Sequence, residues 1–178
     1  RAAQEAAGLA LLGQAYGRRV LDEGARPWLG AHELAHQWWG CGLTNVNWNH
    51  IWLHEGLGSY LTAECLGACY GREAFDESIG AAEDKRAELR RAGRDRPLLH
   101  PDWSQADASD RSVVYDKGTL FVHALRQRLG EARFGAALRD FTQRHWGRAV
   151  ASSDFEAALQ RHAEDDLHPM FVDWVYGG

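Results

Sequence analysis

Two histidines four residues apart with a glutamate beside the first, His32-Glu33-Leu34-Ala35-His36, are the residues of this chain best suited to chemistry. On a helix such histidines lie about 40° apart around the axis and one turn up. Both imidazoles then reach one ion at about 2.0–2.1 Å. Glu33 projects about 100° from His32, beside the metal rather than on it, where a carboxylate takes a proton from metal-activated water. Catalytic zinc wants three protein ligands and one open position. Glu55 follows His36 by nineteen residues, in Trp52-Leu53-His54-Glu55-Gly56, and completes a two-histidine, one-glutamate set for one zinc ion. His54 is its rival, because adjacent helical residues diverge by about 100° and only one of the two can face the ion. The remaining histidines (His50, His100, His123, His145, His162, His168) lack ligand spacing and read as surface or hydrogen-bonded side chains.

These residues need two helices brought side by side. Pro27 suits a helix start, and the pattern predicts a helix from Trp28 to Trp39 that stops near Gly40-Cys41-Gly42. An Asn-rich loop, Thr44 to His50, leads to a second helix over Ile51–Cys69. Gly56 and Gly58 inside it point to close packing against a neighbour, since each weakens a helix by about 1 kcal/mol relative to Ala. A charged stretch over 73–96 has mixed signs and reads as a solvated helix face. Pro97 to Asp110 reads as a loop, followed by helices over Tyr115–Leu129, Glu131–His145, Ser153–Ala163 and Pro169–Tyr176. Ser153 is the expected N-cap of the third of these. The apolar run Gly8–Gly13 is too short to separate a strand from a helix.

Composition sets the outer limits. At 178 residues the chain suffices for one domain with a sizeable core. Twenty basic against twenty-five acidic residues give a net charge of −5, which disfavours nucleic acid or an anionic membrane as the main partner. No apolar run is long enough to span a bilayer. Three cysteines suit buried free thiols better than a disulfide framework. Eight tryptophans suggest an aromatic core ahead of an aromatic-lined cleft. The ends, Arg1 and Gly177-Gly178, read as those of a piece of a longer protein. The cytoplasm is favoured over the periplasm or export.

His32 to Gly40, HELAHQWWG, and Trp52 to Tyr60, WLHEGLGSY, together resemble the aminopeptidase N family of zinc peptidases, the gluzincins. The family's metal motif is HExxH, eighteen residues, then Glu, and the count from His36 to Glu55 fits. The family's usual Asn before that Glu is His54 here. Val114-Tyr115-Asp116-Lys117-Gly118 is similar to the family's tyrosine motif, so the resemblance gives Tyr115 the role of hydrogen-bond donor to the tetrahedral oxyanion. The resemblance covers roughly residues 28 to 178 and implies a mainly α fold, the helical half of a thermolysin-like catalytic domain. Residues 1–27 would be the end of the β-containing part, contributing a short N-terminal strand. The family's Gly-x-Met-Glu-Asn strand, which holds the substrate's free amine, corresponds to Ala2-Ala3-Gln4-Glu5-Ala6, where only the glutamate is kept. Glu5 is therefore the implied substrate-binding residue.

The activity so implied is hydrolysis of the N-terminal peptide bond of peptides, with Glu33 as general base and Tyr115 as its catalytic partner. The other domains of the full-length enzyme are implied as partners, and the piece alone is expected to be inactive. Two alternatives stay open: a zinc endopeptidase of the same type, and a degenerate zinc module that binds without catalysis. Intact Glu33 and Tyr115 weigh against the second.

Overall fold

The computed structural model describes residues 3–99, 103 and 105–177. It is mainly helical, as expected for the helical half of a gluzincin catalytic domain. A hairpin of β1 (Ala3–Ala6) and β2 (Leu9–Leu12) leads to α1 (Gln14–Leu21) and α2 (Trp28–Ala35). β3 (Thr44–Asn45) and a 3-10 turn, Trp48–His50, precede the long helices α3 (Trp52–Tyr70) and α4 (Arg72–Arg91). α5 (Ala108–Ser112), a π-helical turn at Val113–Lys117, and α6 (Gly118–Leu129) run as one continuous rod. α7 (Glu131–His145), β4 (Ala149–Val150), α8 (Ser152–Gln160), α9 (His168–Phe171) and a second π turn, Val172–Tyr176, complete the chain.

The short segments set the frame. β1 and β2 pair antiparallel, with Glu5 opposite Ala10, and the hairpin packs along α2. The apolar run that the pattern alone left undecided is thus β2, because pairing with β1 satisfies its backbone. β3 and β4 pair in parallel, Thr44 with Ala149 and Asn45 with Val150, which pins the loop before α3 to the start of α8. α3 is the central element and packs against α2, α4 and α6. Gly56 makes the α3–α6 approach possible: a Cβ there would lie 2.9 Å from Gly118 Cα.

An aromatic cluster around Trp52 forms the core. Its ring lies 5.6 Å from Phe121 and 5.9 Å from Phe155, and Phe121 lies 5.0 Å from Phe171. All four are fully buried. Replacing Phe121 by alanine is expected to destabilise the fold by about 3–5 kcal/mol, read as a lower urea midpoint with an unchanged slope.

Several expectations need correction. The helix through the histidines ends at Ala35 rather than Trp39. Gln37 N–H bonds back to Leu34 and Trp38 N–H to Ala35, tightening the last turn, and the chain then leaves through Gly40 at φ +148. The segment expected as loop already turns helical at Ala108, where Asp107 caps the backbone of Ser109 and Asp110. Ser153 is not an N-cap: α8 starts one residue earlier, and Asp154 accepts from the Ala151 N–H instead. Cys65 and Cys69 are exposed, not buried, and Cys41 is half-buried; all three are free thiols. Trp28, Trp38, Trp48 and Trp146 lie at the surface rather than in the core. His100 lies outside the described residues.

Ser152 is instead a buried junction. Trp52 Nε1 donates to its hydroxyl at 2.9 Å, and its N–H donates to His50 Nδ1 at 3.0 Å. Burial holds the His50 imidazole below its ordinary value, against the opposing pull of Asp154. The unfolded chain therefore takes up the proton first, so this contribution to stability is complete above pH ~6.5 and is lost as the pH falls below it. His50→Asn, which keeps an acceptor near the same position, is expected to flatten the decline of thermal stability between pH 7 and 5. An unaltered pH slope in the variant would exclude His50 as its source.

Candidate metal centre

α2 carries His32 and Glu33 at the end facing α3, His36 is its C-cap, and all three are buried. The Tyr16 hydroxyl caps α2 by accepting from the N–H groups of Leu29 and Gly30, at 3.0 and 3.1 Å. α3 carries Glu55 in its first turn, and the α2–α3 contact turns its carboxylate onto both imidazoles. Gly58, one turn further along, leaves the room they need: a Cβ there would sit 3.2 Å from His36 Cε1 and 3.3 Å from His32 Cε1.

The donor atoms converge. His32 Nε2 and His36 Nε2 are 3.0 Å apart, and Glu55 Oε2 lies 3.2 and 3.5 Å from them. A triangle with those sides has its corners about 1.9 Å from its centre, so a point at the ~2.0–2.1 Å zinc–imidazole distance from each lies just off its plane. His36 Nδ1 faces the Trp39 carbonyl oxygen at 3.0 Å; a proton held there leaves the Nε2 lone pair free for a metal. Two nitrogens and one carboxylate oxygen fit a borderline ion such as zinc. His54 does not join this cluster. Burial and the nearby His36 push it down to about 4, and it stays neutral outside the donor set.

The electrostatics follow from the crowding. Burial opposes charge on His36, yet the hydrogen bond and charge of Glu55 raise it to about 9. Burial likewise opposes ionisation of Glu55, but the two imidazoles draw it down to about 2. Glu33 is held above the usual carboxylate range, chiefly by burial and further by Glu5 and Glu55, against the lowering effect of the imidazoles. Its Oε2 is buried with no protein hydrogen-bond partner among the described residues. Such an atom is available to water or substrate.

Tyr115 comes from the π turn, and its ring stacks on His32 at 5.7 Å and 23°. Burial, then the charge of Glu55 and a hydrogen bond to it, push the phenol upward, so it stays protonated and able to donate. Glu5 enters from β1: its carboxylate, that of Glu33 and an imidazole nitrogen of His36 offer donor atoms within 4.8 Å of one another. The structure thus brings His32, Glu33, His36, Glu55, Tyr115 and the half-buried Glu5 together.

Sequence reading missed Gln37. Its side-chain amide donates to the Ala6 carbonyl at 3.0 Å and accepts from the Gly8 N–H at 2.7 Å, clamping the hairpin that brings Glu5 to the site. A polar residue directly after the second histidine carries no signal for that role, because its partners are backbone groups 29 and 31 residues away.

The sequence profile of the Peptidase family M1 domain matches residues 26–174. The chain belongs to peptidase family M1. Aminopeptidase M1-B of Oryza sativa subsp. japonica is 32% identical over 151 residues, covering 82% of this M1 chain and 17% of the relative. A leukotriene A-4 hydrolase of Xenopus laevis is 30% identical, covering 81% and 25%. The crystal structure of an M1 zinc metallopeptidase from Deinococcus radiodurans is 26% identical with a TM-score of 0.78, covering 99% of this chain and 37% of that one. The M1 chain therefore spans about a quarter or less of these curated relatives' length, and its fold is that of the helical subdomain of M1 zinc metallopeptidases. No helix among the described residues is long and apolar enough to cross a membrane.

Proposed function

We propose that this chain is the zinc-binding, helical part of a catalytic domain that removes N-terminal residues from peptides. The observation that carries the reading is the approach of Glu5, Glu33 and His36 to one another beside the His32, His36 and Glu55 donor set. A metal site alone would serve any peptidase, whereas a second carboxylate beside it that is not one of the three ligands gives an α-ammonium group a place to bind.

His32, His36 and Glu55 hold one zinc ion, which when bound supplies a Lewis acid that polarises a carbonyl and acidifies water. Glu33 takes a proton from the attacking water on its unpartnered Oε2 and passes it to the leaving amine; its raised affinity for protons suits both steps. The Tyr115 hydroxyl donates to the oxyanion as charge develops there. Glu5 pairs with the substrate's ammonium group and sets the distance from the chain end to the scissile bond. Residues 1–27 end the β-containing part and 28–178 form the helical part of a larger enzyme, whose other segments complete the substrate pocket. This chain by itself is expected to bind zinc without appreciable turnover.

In the full-length polypeptide, an aminoacyl anilide is expected to be hydrolysed and its N-acetylated form to be at least about a hundredfold poorer, the loss of a desolvated charge pair. Equal rates would overturn the aminopeptidase reading in favour of an endopeptidase. Stoichiometric zinc with no hydrolysis of either would favour a binding module.

A further inference from the structure

Lys117 is buried, with its side chain 5% exposed, and sits in the same π turn as Tyr115. Its Nζ lies 2.9 Å from Asp95 Oδ1 and donates to the Arg96 carbonyl at 2.7 Å. We infer that Lys117 is a positioning residue: its buried ion pair with Asp95 holds the turn Val113–Lys117 so that Tyr115 is presented to the metal site. The inference rests on the proposed role of Tyr115.

Asp95 is itself held. Arg86 Nε and Arg90 Nε, one turn apart on α4, lie 3.3 and 3.2 Å from its Oδ2. Arg86 lies 3.9 Å above the Trp174 ring. Arg96 pairs with Asp110 in α5 at 2.6 Å. The segment after α4 is therefore a strap, tied by charges to α4 on one side and to the rod bearing Tyr115 on the other. Thr119 adds a tie within the rod by donating to the Tyr115 carbonyl at 2.7 Å.

A buried ion pair is a poor device for stability, since apolar side chains of similar volume serve as well or better. What a lysine ion-paired with a carboxylate and hydrogen-bonded to a carbonyl does supply is direction. The turn it holds has the wider π hydrogen-bonding pattern, which has a looser claim on its own geometry than an α-helix and is frequent at functional sites. Without the tie, an α-like rewinding of the turn would rotate Tyr115 off His32, and misplacement of this kind lowers the chemical step more than substrate binding.

In the full-length polypeptide, Lys117→Met is expected to lower kcat about 10- to 100-fold, with KM and zinc content held within about twofold. In a Tyr115→Phe background the same substitution is expected to lower kcat by less than about twofold, since residues acting as a unit are not additive. Asp95→Asn provides a second route to the same cycle if Lys117→Met does not fold. A readout independent of turnover uses this chain labelled with 3-fluorotyrosine, the Tyr115 resonance being assigned by its loss in Tyr115→Phe. That resonance is expected to move on zinc addition in the parent chain, and to stand nearer the exposed-tyrosine position without zinc response in Lys117→Met or Asp95→Asn. Wild-type kcat in both variants, or losses that add to that of Tyr115→Phe, would overturn the inference. If Tyr115→Phe alone keeps full kcat, the oxyanion reading fails, and the fluorine resonance then decides the positioning: a position unmoved by either substitution overturns that too.

Discussion

Glu33→Gln in the full-length polypeptide is expected to abolish most peptide hydrolysis, by roughly 10²- to 10⁴-fold in kcat, while leaving zinc bound. Glutamine has the shape of glutamate and fills the same buried site, but an amide takes no proton from water near neutral pH. Among the described residues, Glu33 is also the one carboxylate at the centre with a buried oxygen that no protein group satisfies, and it lies outside the converging donor triad. Metal affinity and proton transfer should therefore separate cleanly. Zinc by mass spectrometry and turnover of an aminoacyl anilide provide the two readouts. A zinc-loaded variant with wild-type turnover would remove Glu33 from catalysis.

Glu55→Ala is expected to act the other way round, on the metal first. Altering partners that merely support ligands typically lowers metal affinity 10- to 100-fold; loss of a direct ligand should exceed about a hundredfold. The variant also removes the only carboxylate within 3.5 Å of both imidazoles among the described residues, and with it the group that holds His36 up near 9. Metal-free His36 should then titrate lower than in the parent chain, because burial is opposed only by the Trp39 carbonyl and the charge of Glu5. Competition with a chelator, on this chain alone, reads the affinity. An unchanged affinity in Glu55→Ala together with a loss in His54→Ala would put the adjacent histidine in the donor set and Glu55 outside it.

The two variants address different parts of the centre, and their contrast matters more than either loss. One should be metal-full and inactive, the other metal-poor and inactive in proportion. A common collapse of the fold would instead show in both as a lower urea midpoint, the signature predicted for Phe121→Ala.

Local spacing by itself singled out His32 and His36 as candidate donors and Glu33 as the candidate base. Four residues are one helical turn, so His32 and His36 must share a face wherever that helix lies, and Glu33 must stand to the side. Gly56 and Gly58 announced a close approach for the same reason: a glycine weakens a helix unless something needs the space. The mainly helical class was legible from periodicity and from the likeness to a known peptidase family. What needed tertiary structure was every relation between distant segments. The choice of Glu55 over His54 depended on how α3 rotates against α2. The two ends of the β1–β2 hairpin became strands only through each other, and Glu5 reached the site because Gln37 holds that hairpin by its backbone. The exposure of Cys65, Cys69 and four tryptophans could not be read from hydropathy, since the same side chains suit a core or a surface that other segments can cover. Asp95 looked like one charge in a solvated run. Burial of its partner Lys117, 22 residues away, decides otherwise, because desolvation depends on the whole packed neighbourhood and not on the sequence around either residue.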